Sequence, residues 1–279
     1  MSDEIKIKDA ADAVKGLVEA VPIYQDALQP AMREIGAGLQ MIAKTIHIVL
    51  APISTLVWGY DQIKEFVSTR VAEKLKGVPP NRIQTPEPHV VGPALEALRY
   101  TGHEESLREL YANLLATSLD AETARQAHPA FVDMIKNMSP DEARIMRLFA
   151  IRDAFPIVDV HFYAKGENGY RVLFRSLSSI GREAGCSFQD LTPNYLDNLS
   201  RLGLIESPGA YGLASPTLTG PNMYEPLEQD DEVQRIRSEI DAAAGRIEFG
   251  RTFMRITDLG KQFCQACVIE KSAAAAAGE

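Results

Sequence analysis

Cysteine is scarce. Three of them, Cys186, Cys264 and Cys267, in 279 residues are too few and too late in the chain to staple a secreted fold, so a reducing, cytoplasmic setting is expected. Positive charge is in deficit, with 29 Lys and Arg against 38 Asp and Glu and a net charge of -9. That excludes global attraction to phosphate backbones, and a nucleic-acid partner would need a local basic patch. The start, Met1 to Lys8, lacks the apolar stretch and small-residue cleavage site of a secretory signal. No glycine-rich stretch has phosphate-loop spacing, and the five histidines do not recur at metalloprotease spacing. Cys264 and Cys267 form a CxxC, but zinc requires two further ligands and only Cys186 remains, so the pair reads as small buried residues. No catalytic, cofactor-binding or metal-ligating residue is assigned, and the chain is not read as an enzyme.

What is present is apolar and helical. A hydrophobic content of 46% is enough for one large or two ordinary domains. Residues 4–20 carry a modest amphipathic helical pattern, and 61–76 another. Between them, Ile35 to Tyr60 contains only Lys44 and His47 as ionisable side chains before its final residue. As a helix this stretch would reach roughly 39 Å, longer than the ~30 Å hydrocarbon layer of a bilayer. Its hydropathy falls just short of a confident span, and Pro52 interrupts the helical pattern. Two readings stay open. One is a buried helical hairpin that turns at Pro52. The other is membrane contact through Ile42, Ile46, Leu50, Ile53, Leu56 and Trp58, with Trp58 and Tyr60 as interfacial aromatics. A helix covered at rest and released on activation reconciles the two.

Residues 79–89 form a proline-rich connector, with Pro79, Pro80, Pro86 and Pro88. Pro93 is expected to open a helix, and Glu104 to Leu119 is the clearest helix in the chain, with Leu107, Leu110, Tyr111, Leu114 and Leu115 on one face. After the turn at Asp120, the run His128-Pro129-Ala130-Phe131 precedes a short helix at 132–137. Ser139, Pro140 and Glu142 then write a helix start, as cap, first-turn proline and capping-box carboxylate.

The run Leu110 to Ala116, then Asp120, then His128 to Ala143 resembles the Abi-alpha (abortive infection alpha) family, with the likeness covering about 90–143. The resemblance implies a bacterial anti-phage role in which infected cells die or stop growing, and it supplies no catalytic residue. Asn113, Asp120, His128, Pro129, Phe131, Ser139, Pro140 and Glu142 are read as structural members of that motif. Asn113 and Asp120 suit backbone hydrogen bonding, and a histidine before a proline is more often a structural group than a ligand.

From Ser139 onward the expected order is helix, strand, helix, helix, strand, wing, strand, helix. A strand is expected at 157–162, helices at 173–184 and after Thr192, a stop at Gly203, and a returning strand with a capped last helix around Arg255 to Gly260. This order resembles winged-helix domains, with an elaborated wing over 207–245 whose second half, from Asp230, is a charged helix. The outward positions of the helix after Thr192 are Asn194, Asp197, Asn198 and Arg201. One cation against one carboxylate is a poor phosphate surface, and DNA recognition is not expected.

The fold expected is therefore mainly α: an amino-terminal helical region (1–78, hydrophobic segment 35–60), the connector (79–89), the family core (90–138), a carboxy-terminal winged-helix α+β domain (139–271) and a tail (272–279). The leading expectation is a defence protein that responds to a phage component through its carboxy-terminal half and acts on the inner membrane through its amino-terminal helices. A homo-oligomer is expected because one marginal helix per chain does not line a pore. The alternatives are a soluble regulator or adaptor binding protein or DNA, and an enzyme whose site assembles only in three dimensions.

Overall fold

A computed structural model describes residues 58–208, 223–240 and 244–270. The chain divides after Pro140 and again after Cys264, so that 265–270 belong with the amino-terminal part and 141–264 form the second unit. Together the elements make a mixed α+β chain, not a purely helical one.

The first unit is helical. Helix α1 (Tyr60–Phe66) starts at Gly59, whose amide donates to Gln62 Oε1 at 2.8 Å. It runs into a π-helical turn at Val67–Val71 and then α2 (Ala72–Lys74). A single 3-10 turn at Pro80–Arg82 occupies the proline-rich connector. Helix α3 (Pro88–Thr101) begins at Pro88 and carries Pro93 inside it, so the helix opens one and a half turns earlier than Pro93 predicts. A first-turn proline sacrifices no intrahelical bond, and Pro93 removes only one further donor. Helix α4 (Glu105–Leu119) follows the expected stripe, with Leu107, Leu110, Tyr111, Leu114 and Leu115 all buried. Helix α5 (Ala130–Lys136) completes the described helices before Pro140, with Phe131 and Ile135 fully enclosed.

The second unit opens with α6 (Pro140–Phe149), started by Pro140 as the sequence predicts. Strands β1 (Ala154–Ala164), β2 (Arg171–Leu177), β3 (Ile205–Glu206) and β4 (Gly245–Ile256) form one antiparallel sheet of order β2-β1-β4-β3. β1 and β4 pair along their whole length, from Ala154 opposite Arg255 to Ala164 opposite Gly245. Helix α7 (Ile180–Glu183) is one turn, α8 (Thr192–Arg201) is amphipathic, and α9 (Glu225–Glu228), α10 (Asp231–Glu239) and α11 (Asp258–Phe263) complete the unit. One face of the sheet buries Val158 and Val160 with Leu227 and Val233 from α9 and α10.

Three expectations need correction here. In the helix expected over 173–184, residues 173–177 are strand β2 and only Ile180–Glu183 are helical, because Val172, Phe174 and Leu177 find partners on β1 through the turn where Gly166 and Gly169 take positive φ. The cap expected of Thr192 is absent: its hydroxyl donates back to the Gln189 carbonyl instead. A second strand where a helix was expected, and a returning strand of 12 residues, leave the winged-helix assignment without support from this topology. Gly203 does end α8 at φ +75, and Thr257 does cap α11 by accepting from the Gly260 amide at 2.9 Å.

Candidate functional site

In the first unit a cleft of about 460 Å³ is lined by residues of α1, the π turn and α4. Trp58 forms one wall. Its backbone amide donates to the Arg99 carbonyl, and its ring meets Phe66 edge-on at 5.5 Å. It also lies over Gly102, where a Cβ would come within 2.2 Å of the indole. Of the membrane-contact candidates, Trp58 is half-buried on this wall, while Ile42, Ile46, Leu50, Ile53 and Leu56 lie outside the described residues. Among the described residues no helix is long and apolar enough to cross a membrane.

The opposite wall is ionic. Arg70 Nε donates to Glu109 Oε1 at 2.9 Å and its Nη2 to Oε2 at 2.9 Å, a bidentate clamp, with further contacts to Glu73 and Glu270. Lys74, whose side chain is 4% exposed, bridges Glu109 at 3.0 Å and Glu270 at 3.2 Å. Hydrogen bonding to Glu109 and Glu73 raises the Arg70 value above its ordinary range. Burial alone would push Glu109 up, but Arg70 and Lys74 hold it below the usual glutamate value. Arg70 sits inside the π turn, a local widening that recurs at functional positions. The cleft thus offers an aromatic wall and a charged wall, suited to recognition. Among the described residues no group of three or more His, Cys, Asp or Glu is placed to hold a metal.

The motif residues meet separate partners. Asn113 Nδ2 donates to the carbonyls of Cys267 at 2.9 Å and Val268 at 3.3 Å, and Thr117 Oγ1 donates to that of Ala266 at 3.0 Å. These bonds hold the returning segment 265–270, part of whose π turn (Cys264–Val268) leaves carbonyls to be satisfied. Asp120 is buried and takes both arms of Arg82, at 3.0 and 2.6 Å, plus the Glu122 amide. His128 is exposed, its Nδ1 accepting from the Ala130 amide at 3.1 Å, so it caps α5 beside Pro129 and stacks toward Phe131. In the second unit Glu142 is buried and accepts from Asn198 Nδ2 at 2.7 Å. Ser139 directly precedes α6, whose first residue is Pro140.

A further polar centre went unrecognised in the sequence. Asp141 is buried and its carboxylate accepts from the amides of Ser187 (2.9 Å) and Phe188 (3.1 Å), from Tyr195 Oη (3.0 Å) and from Arg144. Burial pushes its value up, but those donors outweigh it and hold the carboxyl below the ordinary aspartate range. Its only sequence signal is an acidic residue in the first turn of a helix, which is also the commonest place for one. All three cysteines are buried thiols. Burial pushes the Cys186 thiol up to about 11 and that of Cys264 up to about 12. On α8, Asn194, Asp197 and Arg201 are exposed as expected, and the Arg201 guanidinium rests on Asn198 Oδ1 at 2.7 Å.

Compared with known proteins, residues 59–267 match the family described as abortive infection alpha. No curated protein matches the chain. A solved structure of an uncharacterized protein from the hydrocarbon-degrading marine bacterium Alcanivorax borkumensis SK2 is 24% identical, over 50% of this chain and 92% of that one. Its TM-score is 0.34, and at that value the likeness carries no structural argument.

Proposed function

The chain belongs to the abortive infection alpha family, and from that membership we propose that it is an anti-phage defence protein that senses a phage component and then acts on the inner membrane. Family membership over residues 59–267 is the observation that carries the defence role. The membrane step rests on the apolar stretch Ile35 to Tyr60. In this reading the protein waits in the cytoplasm, a phage protein triggers it, and several copies combine because one marginal helix per chain does not line a pore.

The test is phage plating on cells with and without the protein. Fewer plaques, with infected cells dying or ceasing to grow, is the expected result, and unchanged plating removes the defence role. The membrane step is tested separately by liposome leakage and fractionation against a deletion of residues 35–60. Equal behaviour of the two proteins removes that step and leaves the defence role standing.

One feature favours a second reading, an adaptor that works by binding protein. Phe188, 62% exposed, and Leu191, 40% exposed, stand in water just before α8. Phe188→Ser would then abolish protection with unchanged thermal stability. A DNA-binding version predicts a mobility shift at low salt that Arg201→Ala weakens.

A further inference from the structure

The face of the sheet opposite α9 and α10 carries a cluster that neither the fold nor the defence reading uses. Side chains alternate along a strand, so His161 and Tyr163 of β1 share the face opposite Val158 and Val160. Their register partners there are Val172 of β2, opposite His161, and Glu248 and Arg246 of β4. Tyr170, just before β2, lays its ring on His161 at 4.2 Å between centroids and 33° between planes, and on Tyr163 at 5.4 Å. The Arg246 guanidinium lies 5.1 Å from the Tyr163 centroid. Gly250 makes room for the histidine, since a Cβ there would stand 3.0 Å from its Cε1.

This cluster is open to water. Tyr170 is 54% exposed and Val172 43% exposed. Two exposed cations at its edge have no carboxylate partner among the described residues, in a chain whose net charge is -9. Arg171 and Arg246 are paired with Glu167 and Glu248, at 3.8 and 2.6 Å. The Asp159 carboxylate is turned onto the Ser176 amide at 2.7 Å. Lys165 and Arg175 are exposed and make no ion pair among the described residues. Stacked aromatics on an open sheet, with cations beside them that no carboxylate neutralises, are the features by which proteins hold unpaired bases and their phosphates. A duplex hides its base faces and cannot use such a platform.

We propose that this open sheet face binds single-stranded nucleic acid, with bases stacking on Tyr170 beside His161 and Tyr163, and phosphates held by Lys165 and Arg175. The binding is independent of the defence reading, and its test makes no use of phage.

The test is fluorescence anisotropy of the full chain with labelled oligouridylate, oligothymidylate and a DNA duplex, at low and raised salt. A single strand should bind more tightly than the duplex. A preference between the two single strands decides between RNA and DNA as the source. Tyr170→Ala should weaken binding by about 5–150-fold, the worth of one stacked base, whereas Tyr170→Phe, which keeps the ring, should restore it. Arg175→Ala should lower the steepness of the salt dependence by about one ion. Both positions are exposed, and an unchanged melting temperature confirms that the variants fold. No binding of either single strand, equal binding of the duplex, or indifference to Tyr170→Ala would each overturn the proposal, the last two because they reduce the binding to general attraction for phosphate.

Discussion

Tyr195 Oη donates to the buried carboxylate of Asp141 at 3.0 Å, tying the first turn of α6 to the first turns of α8. The same carboxylate holds the amides of Ser187 and Phe188, so one side chain fixes the loop that leads into α8. Asp141→Ala leaves those donors unsatisfied and should cost about 2–4 kcal/mol, whereas Tyr195→Phe removes one bond and should cost about 1–2 kcal/mol. Urea unfolding of the two variants measures both, and equal small losses would show that the loop holds itself.

Acid sensitivity follows from the same residue. The Asp141 carboxyl is held below its ordinary value in the folded chain, so the unfolded chain takes up that proton first as pH falls. The stability contributed is complete above the unfolded aspartate value of about 3.9 and is lost as pH drops through the folded value. Asp141→Asn should therefore flatten the acid limb of a stability–pH curve below about pH 4, while a parallel curve would place the acid dependence elsewhere.

In the first unit, Lys74 and Glu109 are both removed from bulk water and 3.0 Å apart. Lys74→Met strips Glu109 of one of its two cations, and Glu109→Gln leaves Lys74 with Glu270. A double-variant cycle should give a coupling of roughly 1–3 kcal/mol between them. Additive losses would mean that Arg70 alone neutralises Glu109.

The chain has one tryptophan, so its emission reports the cleft wall alone. Gly102→Ala drives a methyl group into the Trp58 indole, and overpacking of this kind costs about 1–3 kcal/mol. The emission should shift to longer wavelength and become more open to iodide quenching. An unmoved spectrum would show that the indole does not rest on Gly102 in solution.

Thiol reactivity gives a further check on packing. The Cys264 thiol, pushed up to about 12, and that of Cys186, up to about 11, stay neutral and enclosed at neutral pH. Ellman's reagent should react with them only in denaturant. Because both values are raised, the associated stability is complete below the unfolded thiol value of about 8.5 and declines as pH climbs toward the folded values. Fast reaction in buffer would show that the second unit opens locally.

Helix α4 was legible to within one residue at its start because five large apolar side chains recur at helical spacing with no competing signal. The helix start at Pro140 was legible from Ser139, Pro140 and Glu142. Strand β2 was not, since Leu173, Phe174 and Leu177 fit a helical stripe as well as a strand, and only pairing with β1 decides between them. The ionic wall of the cleft was invisible for a different reason. Arg70 meets Glu109 and Glu270 across 39 and 200 residues of chain, and no local pattern encodes such separations. The same holds for Tyr170, which reads as a loop residue until the hairpin folds it onto His161.

The backbone leaves the first unit at Pro140 and comes back to it at Gln265, so the order of synthesis matters. A ribosome finishes the whole intervening sheet before it delivers the carbonyls that Asn113 and Thr117 need. The inserted unit has all its own residues to hand while the amino-terminal helices are still waiting for their last strap. A premature stop near residue 264 would therefore release a chain whose later-made part is whole and whose first-made part is incomplete.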